Sequence, residues 1–325
     1  YDDRGGLYRF GNEMEGCTLT ARSADMRLGL PAEIIESGPL RVRVRAPMQL
    51  AGQPFETEYV LVAGEPFLRM HATGAAPAMT SVMVHFPLAG SLDALAHGTP
   101  YHWDRKTLER APWGVSFEAT HDFAIAELAG APRAAIYHAD VPAWAAQSDG
   151  LLIGVLWRNA RVEQCALYGG VGTDPDAHTV DYAIRVPSGL AAPETGQALR
   201  EALSFETPLL ARAAGRNGPL PPSQSLAAAS PATAILTAAK SATASPQALV
   251  LRVYQPTNTL LPVEVTTAAR MRTPSGIGLV VRPMTALEGP LPRAQANALG
   301  LNGSADRFRF VARRALTTMS IQPVQ

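Results

Sequence analysis

Apolar residues in this chain recur at every second position, in short runs that turn residues keep interrupting. Arg41 to Met48 read RVRVRAPM, apolar and cationic side chains in strict alternation. That period places one set of side chains on each face of an extended strand, so the segment is expected to be a half-buried β-strand. Thr57–Gly64 (TEYVLVAG) and Pro66–Gly74 (PFLRMHATG) follow, joined at Gly64-Glu65-Pro66, and read as a hairpin. Further strands are expected at Val82–Phe86, Val115–Phe117, Ala134–Tyr137, Leu151–Trp157 and Thr179–Val186, each bounded by Gly, Pro, Asp or Ser. The 27 glycines and 27 prolines leave few stretches long enough for a helix. A chain patterned this way folds as an all-β sandwich, not as a βαβ repeat.

The chain has 325 residues, enough for one large domain or two. The composition shifts at Ala213–Ser225 (AAGRNGPLPPSQS), which reads as a linker. The expected division is a large β-domain over 1–212, a linker over 213–225 and a small β-sandwich over 226–325. In the alanine-rich stretch Leu226–Ala244, helix propensity competes with strand. Pro231 and the Ile235-Leu236-Thr237 core favour a strand.

With 28 basic and 28 acidic residues the net charge is zero, so no nucleic-acid partner is expected. No run approaches the roughly 18 apolar residues of a membrane span, and no membrane partner is expected. Cys17 and Cys165 are read as two reduced thiols, with a single bridge between them as the alternative. The chain opens on Tyr1 with neither a charged n-region nor an apolar h-region. It is expected to be a processed protein or a piece of a longer one.

The densest polar chemistry lies in His97–Gly114, HGTPYHWDRKTLERAPWG. Tyr101, Trp103 and Trp113 offer aromatic faces on which a sugar ring stacks. His102, Asp104 and Arg105 offer hydrogen bonds to its hydroxyls. These six form the expected substrate-binding set, on a loop at the mouth of a groove. The alternative is a Trp plugging the end of a sandwich, with Asp104 and Arg105 paired at the surface. Three His–Asp pairings, His102/Asp104, His121/Asp122 and His138/Asp140, have residue types that bind metals. They are read instead as turn and cap residues that bond locally. No carboxylate pair suited to glycoside hydrolysis stands out; Glu56 and Glu58 share a strand face, in a setting that reads as a strand edge. Tyr168–His178 (YGGVGTDPDAH) lacks the strand–GxGxxG–helix context of a dinucleotide loop and reads as a long turn.

Several stretches in order resemble the C-terminal β-rich region of family-38 glycoside hydrolases, the α-mannosidases. They are LYRFGNE (Leu7–Glu13), ETEYVLVAGEPFLRM (Glu56–Met70), HTVDYAIRVPSG (His178–Gly189), AILTAAKSA (Ala234–Ala242) and LVLRVYQPTN (Leu249–Asn258). The resemblance implies a galactose-mutarotase-like supersandwich followed by a small immunoglobulin-like sandwich. It also implies that zinc and the carboxylate nucleophile belong to a catalytic domain upstream, so no cofactor is expected in this chain. Its implied partners are that catalytic domain and an α-mannoside. The β-region would brace the catalytic domain and lend loops to the sugar pocket. Two other readings fit the same fold. One is a free-standing carbohydrate-binding or scaffold protein. The other is an aldose-epimerase-like enzyme, which needs a His and a carboxylate facing one groove.

Overall fold

A computed structural model describes residues 1–6, 9–14, 16–21, 26–28, 30–108, 116–128, 134–160, 174–186, 195–207, 210, 225–257, 259–268, 279–312 and 315–323. Internal contacts divide the chain into two units. The first is Tyr1–Pro193 with Glu201–Thr207; the second is Glu194–Arg200 with Pro208–Gln325. The expected linker lies outside the described residues except for Ser225.

In the first unit the strands run β1 (Asp2–Asp3), β2 (Leu19–Thr20), β3 (Met26–Leu28), β4 (Glu33–Ser37), β5 (Arg41–Leu50), β6 (Gln53–Val62), β7 (Leu68–Gly74) and β8 (Thr80–Pro87). They continue as β9 (Leu92–Thr99), β10 (His102–Thr107), β11 (Glu118–Ala119), β12 (Phe123–Leu128), β13 (Ala134–His138), β14 (Ala143–Ala146), β15 (Leu151–Asn159) and β16 (His178–Arg185). Helix α1 (Thr195–Glu206) follows. One sheet has the order β11-β14-β15-β8-β1-β2; the other runs β10-β9-β12-β13-β16-β7-β6-β5-β3, with β4 also on β5. Between them lies one core, in which Trp144, Leu152 and Leu156 of the smaller sheet meet Met70, Leu95, Ile136 and Tyr182 of the larger. This is a large all-β sandwich, as the period-two pattern requires.

The expected hairpin is present: β6 and β7 pair antiparallel, and Gly64 takes φ +86°, a conformation that favours glycine. Alternation in β5 works out as the sequence suggests. Val42, Val44, Ala46 and Met48 take the face of core residue Met70, while Arg41, Arg43 and Arg45 take the outer one. There the register sets Glu33, Arg45, Glu58, His71 and Asp181 in one cross-strand row of alternating sign. Arg45 bonds Glu33 at 2.7 Å, and His71 bonds Asp181.

Two expectations need correction. Cys17 is disulfide-bonded, so it is not a reduced thiol; the sequence holds one other cysteine, Cys165, outside the described residues. Val115–Phe117 is not a described strand: residue 115 lies outside the described residues, and the strand there begins at Glu118.

The second unit contains β17 (Ala227–Ser230), β18 (Ile235–Ser241), β19 (Leu249–Gln255), β20 (Leu261–Thr267), β21 (Leu279–Met284), helix α2 (Arg293–Ala298), β22 (Asn302–Gly303), β23 (Arg307–Ala312) and β24 (Ala315–Pro323). Two four-stranded sheets, β17-β20-β23-β22 and β18-β19-β24-β21, enclose Leu251, Val253, Val263, Val265, Phe308 and Phe310. The alanine-rich stretch forms the strands β17 and β18. Among the described residues, no helix is long and apolar enough to cross a membrane.

Candidate functional site

His97–Thr107 is a hairpin at the edge of the ten-stranded sheet rather than a loop. Strands β9 and β10 pair from Thr99↔His102 to Ala94↔Thr107, and β10 is the outermost strand. Pro100 and Tyr101 make the turn; Tyr101 has φ +56° and is 56% exposed. Arg105 and Lys106 put charge on this open edge, which discourages edge-to-edge pairing.

Strand alternation separates the expected sugar-binding set. Trp103 and Arg105 share one face, and Arg105 Nε donates to Glu127 Oε2 of β12 at 2.6 Å. His102, Asp104 and Lys106 take the opposite face, where Lys106 bonds Glu118 in the six-stranded sheet. His102 Nε2 lies 3.3 Å from Asp104 Oδ1. Tyr101 sits at the tip, and Trp113 lies outside the described residues. The hairpin therefore offers Tyr101 at its tip, Trp103 with Arg105 on one side, and His102 with Asp104 on the other.

The sheet brings a second group to the same end. Trp103 stands opposite Gly98, whose carbonyl accepts the His121 N–H at 2.8 Å. A Cβ on Gly98 would meet the His121 carbonyl oxygen at 2.0 Å and the Phe123 ring at 3.1 Å, so glycine is required for this crossing. Asp122 takes φ +68°, and its side chain lies 2.5 Å from His121 Nδ1. The Asp122 carbonyl accepts the His138 N–H. His138 is buried, bonds Thr120 Oγ1 at 2.7 Å and lies against Trp144. Burial, with His121 nearby, lowers its pKa to about 4, so the ring is neutral at physiological pH.

Helix α1 adds two carboxyl groups. Glu201 accepts from Tyr137 and from Arg185, holding the helix on the sheet's outer face. Phe205 packs edge-on against Phe67, with the Arg69 guanidinium over its ring. Glu206 hydrogen-bonds Asp122. Burial first, then the charge and hydrogen bond of Asp122, then Asp140, push its carboxyl up to about 8. At neutral pH the raised pKa keeps the Glu206 carboxyl largely protonated beside Asp122.

That contact limits the chemistry. Two glycosidase carboxyls need about 5–9.5 Å between them to flank a glycosidic bond. Glu206 and Asp122 interact directly, closer than that spacing. The His–Asp pairs also close locally, and among the described residues no three His, Cys, Asp or Glu side chains converge to hold a metal. These residues do not fit zinc. The Asp174 N–H donates to Asn159 Oδ1 at 3.0 Å, and its side chain bonds His178 Nε2 at 2.8 Å.

Glu206 has no place in the sequence reading because α1 has none. The signal is nonetheless present: Ala198, Leu199, Ala202 and Phe205 are buried at helical spacing.

No protein-family model matches the chain, and no curated protein matches it. Solved structures do. One is an α-mannosidase from Enterococcus faecalis V583, with TM-score 0.69 and 14% identity, covering 89% of this chain and 35% of that one. Another is a glycosyl hydrolase family 38 protein from Enterococcus faecalis, with TM-score 0.72 and 15% identity, covering 98% of this chain and 39% of that one. The fold is shared with glycosyl hydrolase family 38. The chain spans between a third and two-fifths of the length of the chains it matches.

Proposed function

We propose that this chain is the C-terminal β-region of an α-mannosidase-like glycoside hydrolase. In this reading it braces a catalytic domain that precedes it and lines the sugar pocket with the tip of the β9–β10 hairpin. One observation carries the reading: the match to a family-38 chain covers 98% of this chain and only 39% of that one. The site chemistry agrees. Tyr101 and Trp103 offer faces for a sugar ring and Arg105 a hydrogen-bond donor, while Asp122 and Glu206 are too close to act as a hydrolytic pair. The carboxylate nucleophile and the zinc belong to the catalytic domain.

The test is the intact mass of the native polypeptide together with the activity of the isolated chain. Several further domains at about 100–200 residues each put about 500 residues upstream. The purified 325-residue chain is expected to leave aryl α-mannosides unhydrolysed. Zinc-dependent turnover by that chain, or a native polypeptide that begins at Tyr1, would overturn the reading.

A further inference from the structure

Strand β8 presents an open edge to an apolar groove. On one side β8 pairs with β15 along its whole length. On the other its described partners end at Tyr1: Asp2 pairs with Thr80, and Tyr1 and Ser81 exchange N–H···O bonds of 3.0 Å in both directions. Backbone groups alternate sides along a strand. Because Ser81 N–H points to the β1 side, those of Met83 and His85 point there too.

A groove of about 380 Å³ runs beside this edge. All six residues from Thr80 to His85 line it, as happens when a strand's edge, not one of its faces, forms a wall. The facing wall is Met48, Leu50, Phe55, Thr57 and Tyr59 of the β5–β6 hairpin. The apolar surface continues past it on the same face of the larger sheet, where Ile34 is 68% and Leu61 56% exposed. An open edge beside a row of apolar side chains is the geometry that accepts an added strand: main-chain bonds hold it, and alternate side chains enter the groove. Burial along β8 is greatest beside β1: Thr80, Ser81 and Val82 are buried, Met83, Val84 and Phe86 half-buried, and His85 and Pro87 exposed.

We propose that the residues immediately preceding Tyr1 in the native polypeptide extend β1 as an antiparallel strand along β8. This rests on the reading that a catalytic domain precedes Tyr1. The register is already set: Asp2 lies opposite Thr80 and Tyr1 opposite Ser81, so the next residues upstream lie opposite Val82, Met83, Val84 and His85. Residues opposite Val82 and Val84 then share the inward face, toward Met48 and Tyr59, where the groove favours apolar side chains. The strand then fixes the catalytic domain to the large sandwich through the sheet itself.

Amide hydrogen exchange on the intact native polypeptide and on the 325-residue chain tests this. Met83 and His85 amides are expected to exchange slower in the native polypeptide by on the order of 10-fold or more, with the Val82 and Val84 amides, which face β15, little changed. A native polypeptide with an upstream domain but unchanged Met83 and His85 exchange overturns the added strand and leaves the proposed function standing. A native polypeptide that begins at Tyr1 overturns both. A Met83→Pro variant removes one edge donor without touching the β15 ladder. It is expected to abolish the extra protection at His85 in the native polypeptide and to leave exchange in the 325-residue chain as it was; persistence of that protection counts against the strand.

Discussion

At the scale of single residues, Trp103 decides most. It is half-buried, on an edge strand, over the glycine at which the His121–Asp122 turn crosses β9. A Trp plugging the core looks different in this same molecule: Trp144 is fully buried and its Nε1 donates to the Val141 carbonyl at 2.7 Å. Trp103→Ala is therefore expected to weaken α-mannobiose binding by the native polypeptide by about 1–3 kcal/mol, the range of an aromatic contact residue. Its stability cost should stay below the about 3–5 kcal/mol of truncating a fully buried aromatic. Titration calorimetry and a thermal melt separate the two roles. Unchanged binding with a large loss of stability would make Trp103 a core residue.

At the scale of elements, the strands were legible wherever alternation was strong and the ends were marked. Arg41–Met48 shows period two because its apolar side chains face the sandwich and its arginines meet Glu33, Glu36 and Glu58. The His97–Gly114 stretch was legible as polar but not as a hairpin, because residues two apart are neighbours on a face and residues one apart are not. His102 and Trp103 are adjacent in sequence and lie on opposite sides of the sheet. Helix α1 went unread because alanines make up much of its buried stripe, a weak apolar signal, and because its anchors come from distant strands. Tyr137 and Arg185 reach Glu201, and Asp122 reaches Glu206. That last contact makes the helix end pH-sensitive. The folded-state pKa of Glu206, about 8, lies above the ordinary 4.5 of an unfolded chain. Its stabilising contribution is fully present below that ordinary value and is lost as pH rises through about 8. Denaturant unfolding measured from pH 5 to 9 should therefore show stability declining toward the alkaline side, and Glu206→Gln should flatten that slope. An unchanged slope in the variant would place the sensitivity elsewhere.

At the scale of the whole molecule, the two units have separate cores. In the second, Leu251 and Val253 of one four-stranded sheet meet Val263, Val265, Phe308 and Phe310 of the other, all almost fully buried. Every sheet of this unit closes within residues 227–323. A segment of about 100 residues lies within the range of independently folding domains. Residues 225–325 expressed alone are therefore expected to unfold in one cooperative transition, with an enthalpy of about 60–80 kcal/mol at the midpoint. One feature could weaken the fragment: Glu194–Arg200, with the first half of α1, belongs to this unit, and Gly196 lies beside Pro256 and Thr233. A longer fragment, 195–325, restores those contacts and is expected to melt no lower than the short one. Scanning calorimetry on both distinguishes the outcomes. A broad, sloping melt without fixed near-ultraviolet dichroism in both fragments would mean that the small sandwich does not fold by itself, and the proposed division near 213–225 would fall with it.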